Sequence, residues 1–163
     1  VGTDKTFTDI LVDDLLRIAK LNNWPLKIRN YPSCKLYIKG YDLMSAVSEF
    51  PVKKQDCIII EDQHLKNVVS NFRFGKSQIA VEILTCGNEN MYLIDYEYKE
   101  QTIFVIHVIS AYVTFYKIEI PAKYWKELEK GLLKEQSIEI LRWPANNGLR
   151  SGFDLANPDQ REI

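Results

Sequence analysis

Histidine is scarce in this chain, with only His64 and His107, and the three cysteines Cys34, Cys57 and Cys86 lie far apart with no CxxC pair. Zinc sites draw on ligands paired at short spacing, so no metal-ligating cluster is expected. The thiols instead read as reduced and partly buried, which suits a cytoplasmic or nuclear location. An excess of one charge is also lacking: 21 Lys and Arg face 22 Asp and Glu, for a net charge of −1. That balance removes any global attraction to nucleic acid or an anionic membrane. No apolar run approaches the ~20 residues of a membrane span. The opening VGTDKTFTD lacks the basic-then-apolar pattern of a secretion signal, so no membrane partner is expected. Repeats and low-complexity segments are missing too.

Apolar and aromatic residues, by contrast, are plentiful: 46% of the 163 residues are hydrophobic and 12% aromatic, the composition of a globular chain. They concentrate in residues 78–120, where QIAVEILTC, MYLIDYEYK, TIFVIHVIS and YVTFYKIEI are parted by short polar breaks. Runs rich in Ile, Val, Tyr and Phe favour strands, and breaks this short join antiparallel neighbours. The stretch therefore predicts a four-stranded antiparallel meander. Its third run, 102–109, has almost no polar alternation and should be covered on both faces, with Phe104 buried.

Helical spacing marks a first helix through Ile10, Leu11, Leu15, Ile18, Ala19 and Leu21, capped by Thr8 or Asp9. The runs 26–30 (LKIRN) and 35–39 (KLYIK) flank Tyr31-Pro32-Ser33 and predict a hairpin with Lys27, Arg29, Lys35 and Lys39 outward. Short helices are expected at 43–50 and 63–72, with a buried strand at 57–60. After the meander, Pro121 opens a helix carrying Tyr124, Trp125, Leu128, Leu132 and Leu133, and 137–143 (SIEILRW) reads as a last strand ended by Pro144. Helices flank the meander without alternating strictly with strands, so the class is α+β, a mainly antiparallel sheet with helices on at least one face. Residues 1–144 form a single domain in this reading, and 145–163 a loop-like tail. Asn157-Pro158-Asp159 has the form of a helix start, which suggests a domain cut from a longer protein.

Gly75-Lys76-Ser77 has the end of a phosphate loop, but Ser70 stands where its first glycine belongs. In the meander register, Glu82 falls opposite Asp95, and Glu82, Asp95, Glu97 and Lys99 share one strand face. An acid followed by Glu-x-Lys resembles the core of the PD-(D/E)xK nucleases. The resemblance implies two carboxylates holding Mg or Mn while the lysine orients water. A solvated strand face is the simpler reading of the same residues, because a hairpin follows Lys99 where those enzymes have a helix. The opposite face places Tyr92, Tyr96 and Tyr98 beside Ile103, Val105, His107 and Ile109, and then Tyr112, Tyr116 and Ile118, with His107 opposite Thr114 as a core residue.

The leading functional expectation is a non-enzymatic protein-interaction domain of a larger intracellular protein, with no cofactor. Tyr and Trp abundance favours such a role. The first alternative is a metal-dependent nuclease or hydrolase on Glu82, Asp95, Glu97 and Lys99. The second is a nucleic-acid-binding module using the basic hairpin of Lys27, Arg29, Lys35 and Lys39.

Overall fold

A computed structural model describes residues 5–21, 27–28, 33–47, 52–53, 57–63, 74–92, 97–109, 111–145 and 152–160. In chain order these give α1 (Lys5–Ile18), β1 (Lys27–Ile28), β2 (Ser33–Ile38), β3 (Tyr41–Val47), β4 (Val52–Lys53), β5 (Cys57–Gln63) and α2 (Phe74–Tyr92). Then follow β6 (Gln101–Ile109), β7 (Tyr112–Ile120), α3 (Ala122–Leu128), β8 (Ile140–Trp143), β9 (Phe153–Asp154) and a 3-10 turn, Pro158–Gln160. The class is α+β. The main sheet runs β1-β4-β5-β6-β7-β8, with β9 also on β7, and β2-β3 form a second sheet. All pairs are antiparallel except β5 and β6, which are parallel, Ile59 beside Val105.

The last two runs of the expected meander form the hairpin at the centre of the main sheet. Its register pairs Ile103 with Ile118, Val105 with Tyr116 and His107 with Thr114. Residues 78–92, in contrast, are helical, and 97–100 have no regular structure. The reason lies in the sheet: β5 and β6 are parallel, and a parallel connection has to cross the sheet, which a helix does readily. Ile79, Ile83, Cys86 and Met91 of α2 are buried, and so are Glu82, Thr85 and Asn88. A helix buried nearly all round is packed from more than one side. Asn88 Nδ2 donates to the Lys35 carbonyl of β2 at 3.0 Å, while Gln101 Nε2 of β6 donates to the Gly87 carbonyl at 3.1 Å. Burial from both sides outweighs the local strand preference of Ile, Val and Thr.

Residues 41–47 are likewise a strand and not the start of a helix. β3 folds back on β2 through Lys39 and Gly40, both at positive φ (53° and 77°), directly before Tyr41 pairs with Ile38. Two consecutive positive φ values make the turn type that matches strand twist. Cys34 and Leu36 of β2 then join Ile79, Ile83 and Cys86 in one core. Of the helix expected at 63–72, Gln63 closes β5 and the remainder lies outside the described residues.

Both faces of the main sheet carry helices. Ile103, Val105, Ile118 and Ile120 share the core of α2 and of Tyr124 and Trp125 on α3. On the other face, Val12 and Leu16 of α1 pack with Val108 and Val113. The helical face of α1 was expected through Ile10, Leu11, Leu15, Ile18, Ala19 and Leu21; Ile10, Leu11 and Ile18 are exposed, Ile18 at 78%, whereas Leu21 packs on the core. α3 stops at Leu128, short of Leu133, because Glu127 folds the following segment back. Its Oε1 accepts the Lys134 and Glu135 amides at 2.7 and 2.9 Å, and its Oε2 accepts that of Gln136 at 2.8 Å. Those amides, Lys134 first, hold the Glu127 carboxyl below its usual range.

Residues 152–155 are not a loosely packed tail. β9 pairs with β7, Tyr112 beside Asp154 and Val113 beside Phe153, and Leu155 packs on the α1 core. Asn157 caps the terminal turn, its Oδ1 accepting the Asp159 amide at 3.0 Å.

Candidate functional site

The carboxylate set of the nuclease-like reading is dispersed by the helical geometry of α2. Glu82 is buried at 2% exposure, and Gln78 Nε2, one turn earlier, donates to its Oε1 at 3.0 Å. Glu97 and Lys99 are exposed and pair with each other, Nζ to Oε2 at 2.7 Å. Asp95 lies outside the described residues. The strand pairing that was to set Glu82 opposite Asp95 is not formed, since Glu82 belongs to a helix.

The basic residues also separate. Lys27 is on β1, paired with β4 in the main sheet, whereas Lys35 is on β2 in the second sheet. Lys35 Nζ binds Asp42 Oδ2 at 2.7 Å, and the Lys39 amide donates to Glu129 Oε1 at 3.1 Å. Arg29 lies outside the described residues. β2 thus pairs with β3 in place of the 26–30 run. Gly75-Lys76-Ser77 falls in the first turn of α2, so a helix follows it where a strand was expected.

His107 is buried on β6, and its Nε2 has no hydrogen-bond partner among the described residues. Tyr116 lies beside it, ring centroids 6.5 Å apart. Burial, and secondarily the charge of Arg142, lowers its pKa from 6.5 to about 4. A neutral, walled-in imidazole of this kind is a core group and is not poised for proton transfer near neutrality.

A feature that the runs alone did not anticipate is the outer face of the sheet. Register aligns Phe104 with Lys117 and Leu141 in one row, and Ile106 with Phe115 and Trp143 in the next. Phe115 and Trp143 rings sit 5.5 Å apart, and Trp143 and Phe153 rings 4.3 Å apart. α1 covers Ile106 and Phe115, but beyond it Phe104 is 38% exposed, Leu141 52% and Trp143 48%. Expected burial of Phe104 on both sides therefore fails, because α1 reaches only the Val108 end of the strand. β8 borders this patch and pairs only with β7 among the described residues. Leu141 and Trp143 alternate with Ile140 and Arg142 along 137–143, the one sequence signal that could have placed them together.

Among the described residues no group of acidic, histidine or cysteine side chains is arranged to hold a metal ion, and no helix is long and apolar enough to cross a membrane. Compared with protein-family models, curated proteins and solved structures, the chain gives no match.

Proposed function

We propose that the chain is a protein-interaction domain of a larger intracellular protein, and that it takes an extended, apolar segment of its partner along β8. The observation that carries this reading is the patch of Phe104, Leu141 and Trp143 at the border of the sheet. An extended segment added to a sheet edge gains main-chain hydrogen bonds, and its alternate side chains meet the adjoining face. Here that face offers an aromatic ring, an aliphatic side chain and an indole, the residue types that anchor interfaces. Lys117, aligned between Phe104 and Leu141 and ion-paired with Glu119 at 2.6 Å, leaves an apolar stem in the row and a charge at its rim.

A photo-crosslinking residue at position 141 of the full-length protein, in native lysate, tests the reading. A discrete cross-linked protein is expected, retained in Leu132→Glu and lost in Phe104→Glu. Leu132 is a suitable control because it is 92% exposed after α3. Cross-linking that is indifferent to Phe104→Glu overturns the proposal. Manganese-dependent cleavage of nucleic acid by the purified chain would favour the nuclease-like alternative, and salt-dependent oligonucleotide binding without cleavage the nucleic-acid-binding one.

A further inference from the structure

We propose that Cys34 and Cys86 are a redox-responsive pair that a peroxide closes into a disulfide between β2 and α2. The Cys86 thiol donates to Cys34 Sγ at 3.4 Å across 52 residues of sequence. Both are buried, at 2% exposure, in the core that joins the β2-β3 sheet to the central helix. Closing the bond brings the sulfurs from 3.4 Å to about 2.05 Å, a change within reach of small side-chain rotations.

In this proposal the peroxide reaches Cys34 through local opening of the layer that holds it. β2 and β3 form a sheet of their own, and a two-stranded sheet is marginal without packing. Its ties to the helical layers include the Asn88 to Lys35 carbonyl bond and the Lys39 amide to Glu129 bond. Local opening of such a unit exposes its buried groups without global unfolding. Hydrogen peroxide then oxidises one thiol to a sulfenic acid and leaves as water. The second thiol attacks that sulfur, the S–S bond forms, and the hydroxyl departs with the thiol proton as a second water. Two thiols have together lost two electrons and two protons, and the peroxide has gained them. A neighbouring thiol captures the sulfenic acid before further oxidation. The disulfide ties the β2-β3 layer to α2, and a thiol reductant reverses it by exchange.

Peptide mapping of the full chain tests this directly. Native protein is treated with hydrogen peroxide, alkylated in denaturant and cut with trypsin, which places Cys34 in peptide 30–35, Cys86 in 77–99 and Cys57 in 55–66. The expected product is 30–35 joined to 77–99, two hydrogens lighter than the sum, restored by dithiothreitol. It comes with a rise of several degrees in melting temperature that Cys34→Ser and Cys86→Ser each abolish. Full alkylation of both peptides after peroxide overturns the proposal, as does a bridge that uses Cys57 instead of either. The mapping needs no variant, so it reads the result even if a serine substitution fails to fold.

Discussion

The indole of Trp125 occupies the space that a side chain at Gly87 would need. An ideal Cβ there would lie 2.6 Å from Trp125 Cζ2 and 3.2 Å from Ile103 Cδ1. The contact brings α2, α3 and β6 together at one point. A glycine at the fourteenth of the 19 residues of this helix is thus explained by packing and not by a break in the helix.

Gly87→Ala sets helix propensity against this contact. Alanine favours a helix interior by about 1 kcal/mol over glycine. The added methyl must displace a ring that is only 2% exposed, and overpacking of this sort costs about 1–3 kcal/mol. Urea melts should show net destabilisation. A stabilised variant would mean that α2 and α3 do not approach this closely.

His107 makes stability depend on pH. Its folded pKa is depressed from 6.5 to about 4, by burial first and by Arg142 second. Between those values the unfolded chain binds more protons than the folded one, so stability is lost as pH falls through this window. The loss below it is about 3 kcal/mol, from the linkage between pKa and folding. Urea midpoints at pH 7.5 and 4.5 should diverge less in His107→Leu than in the unaltered chain. Equal divergence would show that carboxylates alone set the acid response.

Neighbouring positions on β6 should respond unequally to truncation. Ile103 is fully buried and Phe104 is 38% exposed on the outer face. Ile103→Ala should cost about 2–5 kcal/mol, as fully buried aliphatic side chains do. Phe104→Ala should cost only about 1–2 kcal/mol, since part of its ring already meets water. Chemical denaturation of the two variants gives the order, and a reversed order would mean that the outer face is covered.

Gly152 holds β9 against β7. Its φ is +105°, and a Cβ would run into the Thr114 hydroxyl and the Val113 carbonyl. Gly152→Ala combines a disfavoured backbone with a clash, so a loss of more than ~1 kcal/mol is expected. Truncation after residue 151 should also lower the melting temperature by several degrees, because Phe153 leaves the Trp143 ring 4.3 Å away. Unchanged melting in both would show that residues 152–160 do not contribute to the packed domain.

The central hairpin was legible because its signals are local. A short break between two Ile-, Val- and Tyr-rich runs allows only antiparallel pairing, and that alone sets His107 opposite Thr114. Pro121 before α3, Pro144 after β8 and the Asn157-Pro158 cap were legible for a similar reason: a fixed φ or a side-chain oxygen acts within a few residues. The candidate surface was legible only as the alternation of Leu141 and Trp143, without its exposure.

What tertiary structure decided are the segments whose residues suit either conformation. Ile79, Ile83 and Cys86 are spaced for one helix face, yet Ile, Val and Thr among them lean towards strand. The parallel placing of β5 beside β6 demands a crossing connection, and burial between β2 and the sheet stabilises it as helix. Residues 41–47 became strand because β2 supplied their hydrogen-bond partners. The same long-range pairings buried Glu82 in the helical core, apart from the exposed Glu97–Lys99 pair, and left Phe104, Leu141 and Trp143 on one open face. Sequence determines such choices only through contacts far along the chain, and those contacts exist only once the layers have packed.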